Sequence, residues 1–467
     1  MSIASNLVSF RAGRSTPVVA LVASLVLSAC GHDEQGKSSV PFNTLDGKQP
    51  LIIGHRGLPG LFPEETRLSF EHAADVGADA LELDLHLTKD CILVARHNPW
   101  MSDNTNIAAV AATNLVVAAR KRTVPGRWVD VSYDIATYGG PARYLTDLTD
   151  PNDLTSVLKS LVVDGEDHTG DWSITDFTLA ELKEWIRGTT YDARDERPTV
   201  DNGKYPVLSF QEVINITKNK STVLGRNLSI YPEAKNAYWN NAQAIANGCG
   251  SGSHPFEDAI INVINDNGLN SKDAAILVQS FDPASLKYLR AAGLKTKALL
   301  LIDGNGVDYK SGTPIYQTND SATFATGRPY SWTLAGNGHY FGDLLTPAAL
   351  ADIKTYADAI GAWKPQVMAW TIVPFPETKD GMSYSGTVKD VNKVVPTNLI
   401  HDAHAAGLYI YSYTFRDEVR YLPGTYNGDP KAELLQFFEA GVDGVFTDFA
   451  ISAFTARNEF IKQHGMR

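Results

Sequence analysis

The sequence predicts an α/β chain built as one (β/α)8 TIM-type barrel, with a long insertion after a hairpin on the second strand and further loop insertions. Two observations carry that reading. Short apolar β-type runs alternate with amphipathic helical runs eight times, if the hairpin is counted once, as such a barrel requires. Ionisable residues also gather at the ends of those runs: His55-Arg56, Glu82, Asp84, His97 and Glu233. Charged groups at buried strand ends cost free energy unless they are paired or bind a metal.

Residues 1–29 stand apart from this pattern. Arg11 and Arg14 precede the apolar run Pro17–Leu27, which is too short to span a bilayer and reads as a signal-peptide core. The run ends in Leu27-Ser28-Ala29-Cys30, which resembles a bacterial lipoprotein processing site with Cys30 as the lipidated residue. The chain is therefore expected outside the cytoplasm, as a periplasmic or cell-envelope lipoprotein, with Gly31 leaning towards the outer membrane. Residues 31–49 are small and polar and read as a tether; residues 50–460 carry the barrel. Losing residues 1–29 takes the 41 Lys and Arg down to 39 against 53 Asp and Glu, a net charge of −14. That balance argues against nucleic-acid binding and against adhesion to anionic lipid, so membrane attachment is left to the lipid anchor.

The elements follow in order. The first strand starts at Leu51 and ends at His55. Glu64 to Gly77 has helical spacing, with Pro63 at its start and Gly77 as C-cap. Leu81 to Leu87 alternates strictly, which puts Glu82 and Asp84 on one face, ~6.6 Å apart along the strand. Only Thr88–Cys91 separates this run from Ile92–His97, so the two form an antiparallel hairpin. A turn centred between Lys89 and Asp90 sets Glu82 opposite His97. A slip of one residue would turn His97 away. His86, nearer the turn, is expected to be exposed.

Residues 99–173 are rich in Gly, Pro, Asp and Thr and far exceed an ordinary connection, which suggests a cap beside the site. Helices are expected at Thr178–Gly188, Ser209–Lys218, Phe256–Asn267, Pro283–Ala292, Pro347–Asp358, Val395–Ala406 and Lys431–Ala440. The remaining strands fall at Leu228–Tyr231, Ala275–Gln279, Thr296–Ile302, Ala359–Ala362, Leu408–Thr414 and Val442–Thr447. Two further irregular stretches run from 303 to 345 and from 363 to 394. Tyr309, Tyr316, Tyr330, Trp332, Tyr340 and Phe341, in the first of these, suit either a ligand mouth or ordinary packing. Cys91 and Cys249 could pair outside the cytoplasm, but nothing in the sequence brings them together, and free thiols are expected.

His55-Arg56-Gly57, then Glu82-Leu83-Asp84, then His97, resembles the pattern of the glycerophosphodiester phosphodiesterase family: H-R, E-x-D and H-D. Ile230-Tyr231-Pro232-Glu233-Ala234-Lys235 is similar to that family's P-E-I-K segment. Gln279-Ser280-Phe281-Asp282 and Gly444-Val445-Phe446-Thr447-Asp448 resemble its later strand ends. The resemblance implies hydrolysis of glycerophosphodiesters, deacylated phospholipids, to glycerol 3-phosphate and an alcohol. It puts Glu82, Asp84 and Glu233 on one divalent metal ion. Three carboxylates in one pocket repel each other without a cation, and hard oxygen donors suit Ca²⁺ first, with Mg²⁺ as the other option. His55 and His97 suit the two proton transfers that a phosphodiester needs. Arg56 suits a bidentate grip on phosphate; Lys235 adds a second positive charge, or simply balances the carboxylates. Glu65 stands where the family often has Asn or His, and Asn98 where it usually has Asp. A phospholipase D-like activity on lysolipids and a weakly catalytic surface-binding lipoprotein are the alternatives.

Overall fold

The computed structural model describes residues 42–122, 162–163, 166–167, 170–191, 196–304, 306–316, 327–379 and 382–465. The signal segment, Cys30 and residues 123–161 of the expected cap lie outside them.

Eight parallel strands close into a barrel: β1 (Leu51–Gly54), β2 (Ala80–Leu87), β3 (Ser229–Ala234), β4 (Leu277–Ser280), β5 (Lys297–Ile302), β6 (Ala359–Trp363), β7 (Tyr409–Phe415) and β8 (Gly444–Thr447). Each pairs with its neighbour in order. β1 closes the ring by pairing both β2 and β8, with Ile53 opposite Ala80 and Leu51 opposite Gly444. Strand alternation separates two apolar layers. Ile53, Ala80, Tyr231, Leu299 and Phe446 fill the barrel interior. Leu81, Leu83, Leu85 and their counterparts pack outward against the helices.

The helices form where local chemistry favours them. Ser209 caps Phe210–Leu224 and Thr178 caps Leu179–Trp185, each as a capping box with the Glu three residues on. Asp282 caps Pro283–Ala291, and its side chain accepts from the Ala284 amide. Three expected helices are shorter than their periodicity suggested, the one expected over Thr178–Gly188 stopping at Trp185. Pro347–Ile353 stops early, and the run expected from Val395 begins at Leu399, because Lys393–Pro396 pairs as a strand with Met368–Thr371. The first helix starts at Arg67 behind the Thr66 cap, so Glu64 and Glu65 lie ahead of it rather than in its first turn. Helices Ala237–Ala246 and Ala450–Gln463 had no counterpart in the sequence reading.

Three other expectations are corrected. The hairpin strand Leu93–Ala95 pairs Leu85 with Ala95 and His86 with Val94, one residue out of the expected register. Cys91, at φ 67°, occupies the left-handed region and lengthens the turn. His86 is fully buried, not exposed. Cys91 and Cys249 form a disulfide, because helix Ala237–Ala246 delivers Cys249 to the hairpin turn.

Residues 42–49 lie along the barrel. The Leu45 amide donates to Asp443 at 2.7 Å, and Phe42 stacks on Phe460. Parts of the inserted region flanking 123–161 build a small apolar cluster from Met101, Ile107, Val117, Trp172 and Phe177 beside the hairpin. Among the described residues no helix is long and apolar enough to cross a membrane.

Candidate active site

The C-terminal ends of the strands meet at one polar patch, and the register of the sheet decides its layout. Asp84 on β2 is the direct partner of Glu233 on β3, and Glu233 is the partner of Gln279 on β4. The three side chains therefore stand in a row across three strands. Glu82 lies one inward position below Asp84. One ligand oxygen from each of Glu82, Asp84 and Glu233 falls within 4.8 Å of the others, and all three residues are buried.

Basic groups surround these acids. Arg56 Nε lies 3.1 Å from Asp84 Oδ2, and its Nη1 lies 3.2 Å from Glu64 Oε2. Lys235 Nζ lies 3.4 Å from Glu233 Oε1 and 3.6 Å from Asp84 Oδ1. Arg56 and Glu65 both hold positive φ, a strained conformation for such residues. Hydrogen bonds fix it. The Arg56 amide donates to Glu82 Oε2 at 2.7 Å, the Glu65 amide donates to the Arg56 carbonyl, and the Asp84 amide donates to Glu65 Oε1 at 2.7 Å. Gly57 follows at φ 91°, where a Cβ would collide with the Ser69 backbone and hydroxyl. Glu65 thus ties two strand ends together and lines neither cavity of the site.

The charges do not balance among the acids. Burial pushes Glu233 up to about 8, with Asp84 adding to it, and burial with Asp84 pushes Glu82 well above the usual carboxylate range. Burial opposes ionisation of Asp84 too, but Lys235 and Arg56 hold it below its ordinary value. Three converging carboxylates, two of which strain to stay ionised, are what a hard divalent cation would relieve. The donor set fits such an ion.

Both histidines reach this patch. His55 follows β1, its amide anchored on the Thr447 carbonyl, and its Nδ1 lies 2.6 Å from Asp448 Oδ1. Asp448 is in turn gripped at Oδ2 by Arg197 Nη2 at 2.6 Å and Arg416 Nε at 2.9 Å. Burial notwithstanding, those two guanidiniums hold Asp448 well below the usual carboxylate range. Burial and then Arg56 lower His55 from its ordinary value, and Asp448 offsets part of that. His97 lies past the end of the hairpin strand, so the altered register does not turn it away. Its carbonyl oxygen is 3.1 Å from His86 Nε2, while Asn240 Nδ2 is 2.8 Å from His86 Nδ1. Burial, Arg56 and Lys235 push His97 well below its ordinary value.

Two cavities meet here. The inner one, ≈ 400 Å³, is lined by His55, Arg56, Glu82, Gln279, Thr414 and Arg416 among others. The outer one, ≈ 250 Å³, opens between the hairpin, helix Ala237–Ala246 and the second inserted stretch. His97, Glu233, Lys235, Phe281 and Asp303 line both. Of the six insertion aromatics, Tyr330 and Phe341 line the outer cavity, while Tyr309, Tyr316 and Trp332 pack on the main core and Tyr340 lies against Arg328.

All seven expected residues of the barrel site, His55, Arg56, Glu82, Asp84, His97, Glu233 and Lys235, line these cavities or the carboxylate cluster between them; Cys30 lies outside the described residues. Sequence reading missed Asp448, Arg197, Arg416, Gln279, His86 and Asn240 as parts of the site. Asp448 and Gln279 had a signal, since each lies in a strand-end motif already noted. Arg197 and Asn240 had none. The Asn98 side chain donates to Asp103 Oδ2 at 2.6 Å.

Comparison with known proteins gives the family. The model of the glycerophosphoryl diester phosphodiesterase family matches residues 55–452. Glycerophosphodiester phosphodiesterase GDPD6 of Arabidopsis thaliana is 29% identical over 414 residues, 87% of this chain and 85% of that protein. A glycerophosphodiester phosphodiesterase of Haemophilus influenzae is 23% identical over 450 residues, 93% and 96% of the two chains. The solved structure of an Oleispira antarctica phosphodiesterase in complex with the product sn-glycerol-3-phosphate is 14% identical, covers 89% of this chain and 99% of its own, and has a TM-score of 0.45. With a family match from His55 through the last barrel strand, the chain belongs to the glycerophosphoryl diester phosphodiesterase family, and it is an enzyme of that class, a phosphoric diester hydrolase.

Proposed function

We propose that the chain hydrolyses glycerophosphodiesters to glycerol 3-phosphate and an alcohol in a metal-dependent reaction, with His55 and His97 as the proton carriers. The observation that carries this reading is the convergence of three carboxylate oxygens within 4.8 Å, with both histidines lining the cavity around them. A divalent ion held by Glu82, Asp84 and Glu233, Ca²⁺ ahead of Mg²⁺, supplies Lewis-acid and template chemistry for the phosphate.

The protein's own groups do the rest. Arg56 and Lys235 bring positive charge to the same patch and, once their carboxylates face a cation, are available to phosphate oxygens. Hydrolysis needs one proton removed from the attacking oxygen and one delivered to the leaving oxygen. Two imidazoles on the same cavity divide that work. Asp448 fixes the His55 ring through Nδ1, which leaves Nε2 for the substrate and stabilises the imidazolium when it forms. His86, held by Asn240, fixes the backbone of His97. Gln279 donates to Glu82 Oε1 at 3.0 Å, and its own Oε1, buried and without a hydrogen bond among the described residues, suits a substrate hydroxyl.

The reading extends to location. Residues 1–29 act as an export signal, Cys30 carries the lipid, and the enzyme works in the cell envelope, anchored to the outer membrane. The Cys91–Cys249 disulfide supports an oxidising compartment. Release of glycerol 3-phosphate from glycerophosphocholine, with Ca²⁺, Mg²⁺ or EDTA, tests the activity; metabolic labelling with radioactive palmitate, lost in Cys30→Ser, tests the anchor.

A further inference from the structure

We infer that the outer cavity is a subsite for the departing alcohol, and that its walls select an alcohol bearing a quaternary ammonium group. The inference rests on the phosphodiesterase reading above and adds which arm of the diester goes where.

A diester presents two arms on either side of its phosphate. The two cavities share His97, Glu233 and Lys235 at their junction, where the phosphate belongs. Each cavity carries six aromatic rings, and their walls differ in the groups between them: Arg56, Lys364 and Arg416 line the inner one alone, Asp282 and Arg328 the outer one alone. The inner one offers hydrogen-bonding groups, Glu82, Gln279 and Thr414 among them, which suit a glycerol diol. The outer one is walled by six aromatic rings: Trp100, Tyr238, Trp239, Phe281, Tyr330 and Phe341. They come as three neighbouring pairs. Tyr238 and Tyr330 have centroids 5.4 Å apart, Trp100 and Trp239 5.5 Å, and Phe281 and Phe341 6.2 Å. Rings of this kind attract a desolvated cation through their faces, and quaternary ammonium is the ion such cages recognise.

The fixed charges point the same way. Asp282 and Asp303 line the outer cavity, and neither has an ion-pair partner among the described residues. Asp282 accepts only from neutral donors: the Ala284 and Ser331 amides and the Ser331 hydroxyl. The protein's own cations already meet three of these rings, Lys235 at 5.5 Å from Phe281 and Arg122 at 5.7 and 5.4 Å from Trp100 and Trp239, and the two cations on the lining are held by other groups. Lys235 pairs with Glu233 and Asp84, while Arg328 donates to the Asn337 carbonyl at 2.6 Å and lies 4.2 Å from the Tyr340 ring centroid. At ≈ 250 Å³ the cavity falls short of the ~300 Å³ at which sites for drug-sized ligands begin, so it suits a small head group rather than an acyl chain.

The test uses the full-length chain and compares kcat/KM for glycerophosphocholine and for the uncharged analogue glycerophosphoglycerol. The wild type should favour the choline ester by at least about tenfold. In Tyr238→Ala and Tyr330→Ala that ratio should fall about tenfold, and in the corresponding Phe variants, which keep the ring, it should hold. Equal kcat/KM for the two esters in the wild type, or an unchanged ratio in both Ala variants, would overturn the inference. Should neither ester be hydrolysed, the phosphodiesterase reading fails by itself, and direct binding still decides the subsite. Tetramethylammonium chloride should change the fluorescence of Trp100 and Trp239 in the wild type and not in Tyr238→Ala, whereas an equal concentration of sodium chloride or tert-butanol should not. No response to tetramethylammonium in the wild type would rule the subsite out.

Discussion

His55 Nδ1 lies 2.6 Å from Asp448 Oδ1, a contact between residues 393 positions apart that closes the barrel's first strand end onto its last. The same carboxylate takes both Arg197 and Arg416 on its other oxygen. The imidazole is thereby fixed in orientation by a group that is itself fixed, and His55 lines the inner cavity.

Replacing Asp448 with Asn keeps the shape and removes the charge. Asp448 raises His55 against the lowering effect of burial and Arg56, so its loss lowers His55 further. Whichever role His55 takes, the limb of the pH–kcat profile that reports it should move to lower pH. The rate should fall about 10²–10³-fold at the optimum, the scale of one acid–base contribution. A profile with both limbs in place would remove Asp448 from the mechanism.

Asn98→Asp tests the position where this chain departs from the family pattern. Its side chain donates to Asp103, whose carboxyl burial pushes up to about 6. A second carboxylate there would lose the donor and add a like charge at 2.6 Å. An acid whose folded pKa is raised destabilises the fold progressively as pH climbs from its unfolded value, ~4, to its folded one. The variant should therefore match the wild type only near pH 4 and lose about 1–2 kcal/mol by pH 8, read from urea midpoints at the two pH values. Equal midpoints at pH 8 would show that the Asn98 bond contributes nothing.

The disulfide joins the hairpin turn to the helix that carries Tyr238 and Asn240, across 158 positions. Closing so long a loop restricts the unfolded chain, and Cys91→Ser with Cys249→Ser should cost about 3 kcal/mol. Urea unfolding with and without reductant measures it. The wild type should lose stability in reductant and the double variant should not; no response in the wild type would contradict the bridge.

The barrel was legible because strand and helix periods differ along the chain, and because Glu82, Asp84, His55 and Glu233 sit at the ends of clear apolar runs. What could not be read were the long-range partners. Nothing local marks Arg197 as the residue that grips Asp448, or brings Cys249 to Cys91; both depend on how loops fold back over the barrel. The hairpin register was missed by one residue because Cys91 adopts a left-handed conformation that its side chain does not announce. His86 was taken for an exposed group because its neighbour across space, Asn240, lies 154 residues away.

The central claim, hydrolysis by a metal-dependent histidine site, is tested most directly by glycerol 3-phosphate release from glycerophosphocholine. The assay uses the full-length chain with Ca²⁺, with Mg²⁺ and with EDTA, beside His55→Ala. The account predicts release with a divalent ion, its loss in EDTA with recovery on adding the ion back, and a fall of about 10²-fold or more in His55→Ala. Release that persists in EDTA, or that His55→Ala leaves intact, would contradict it.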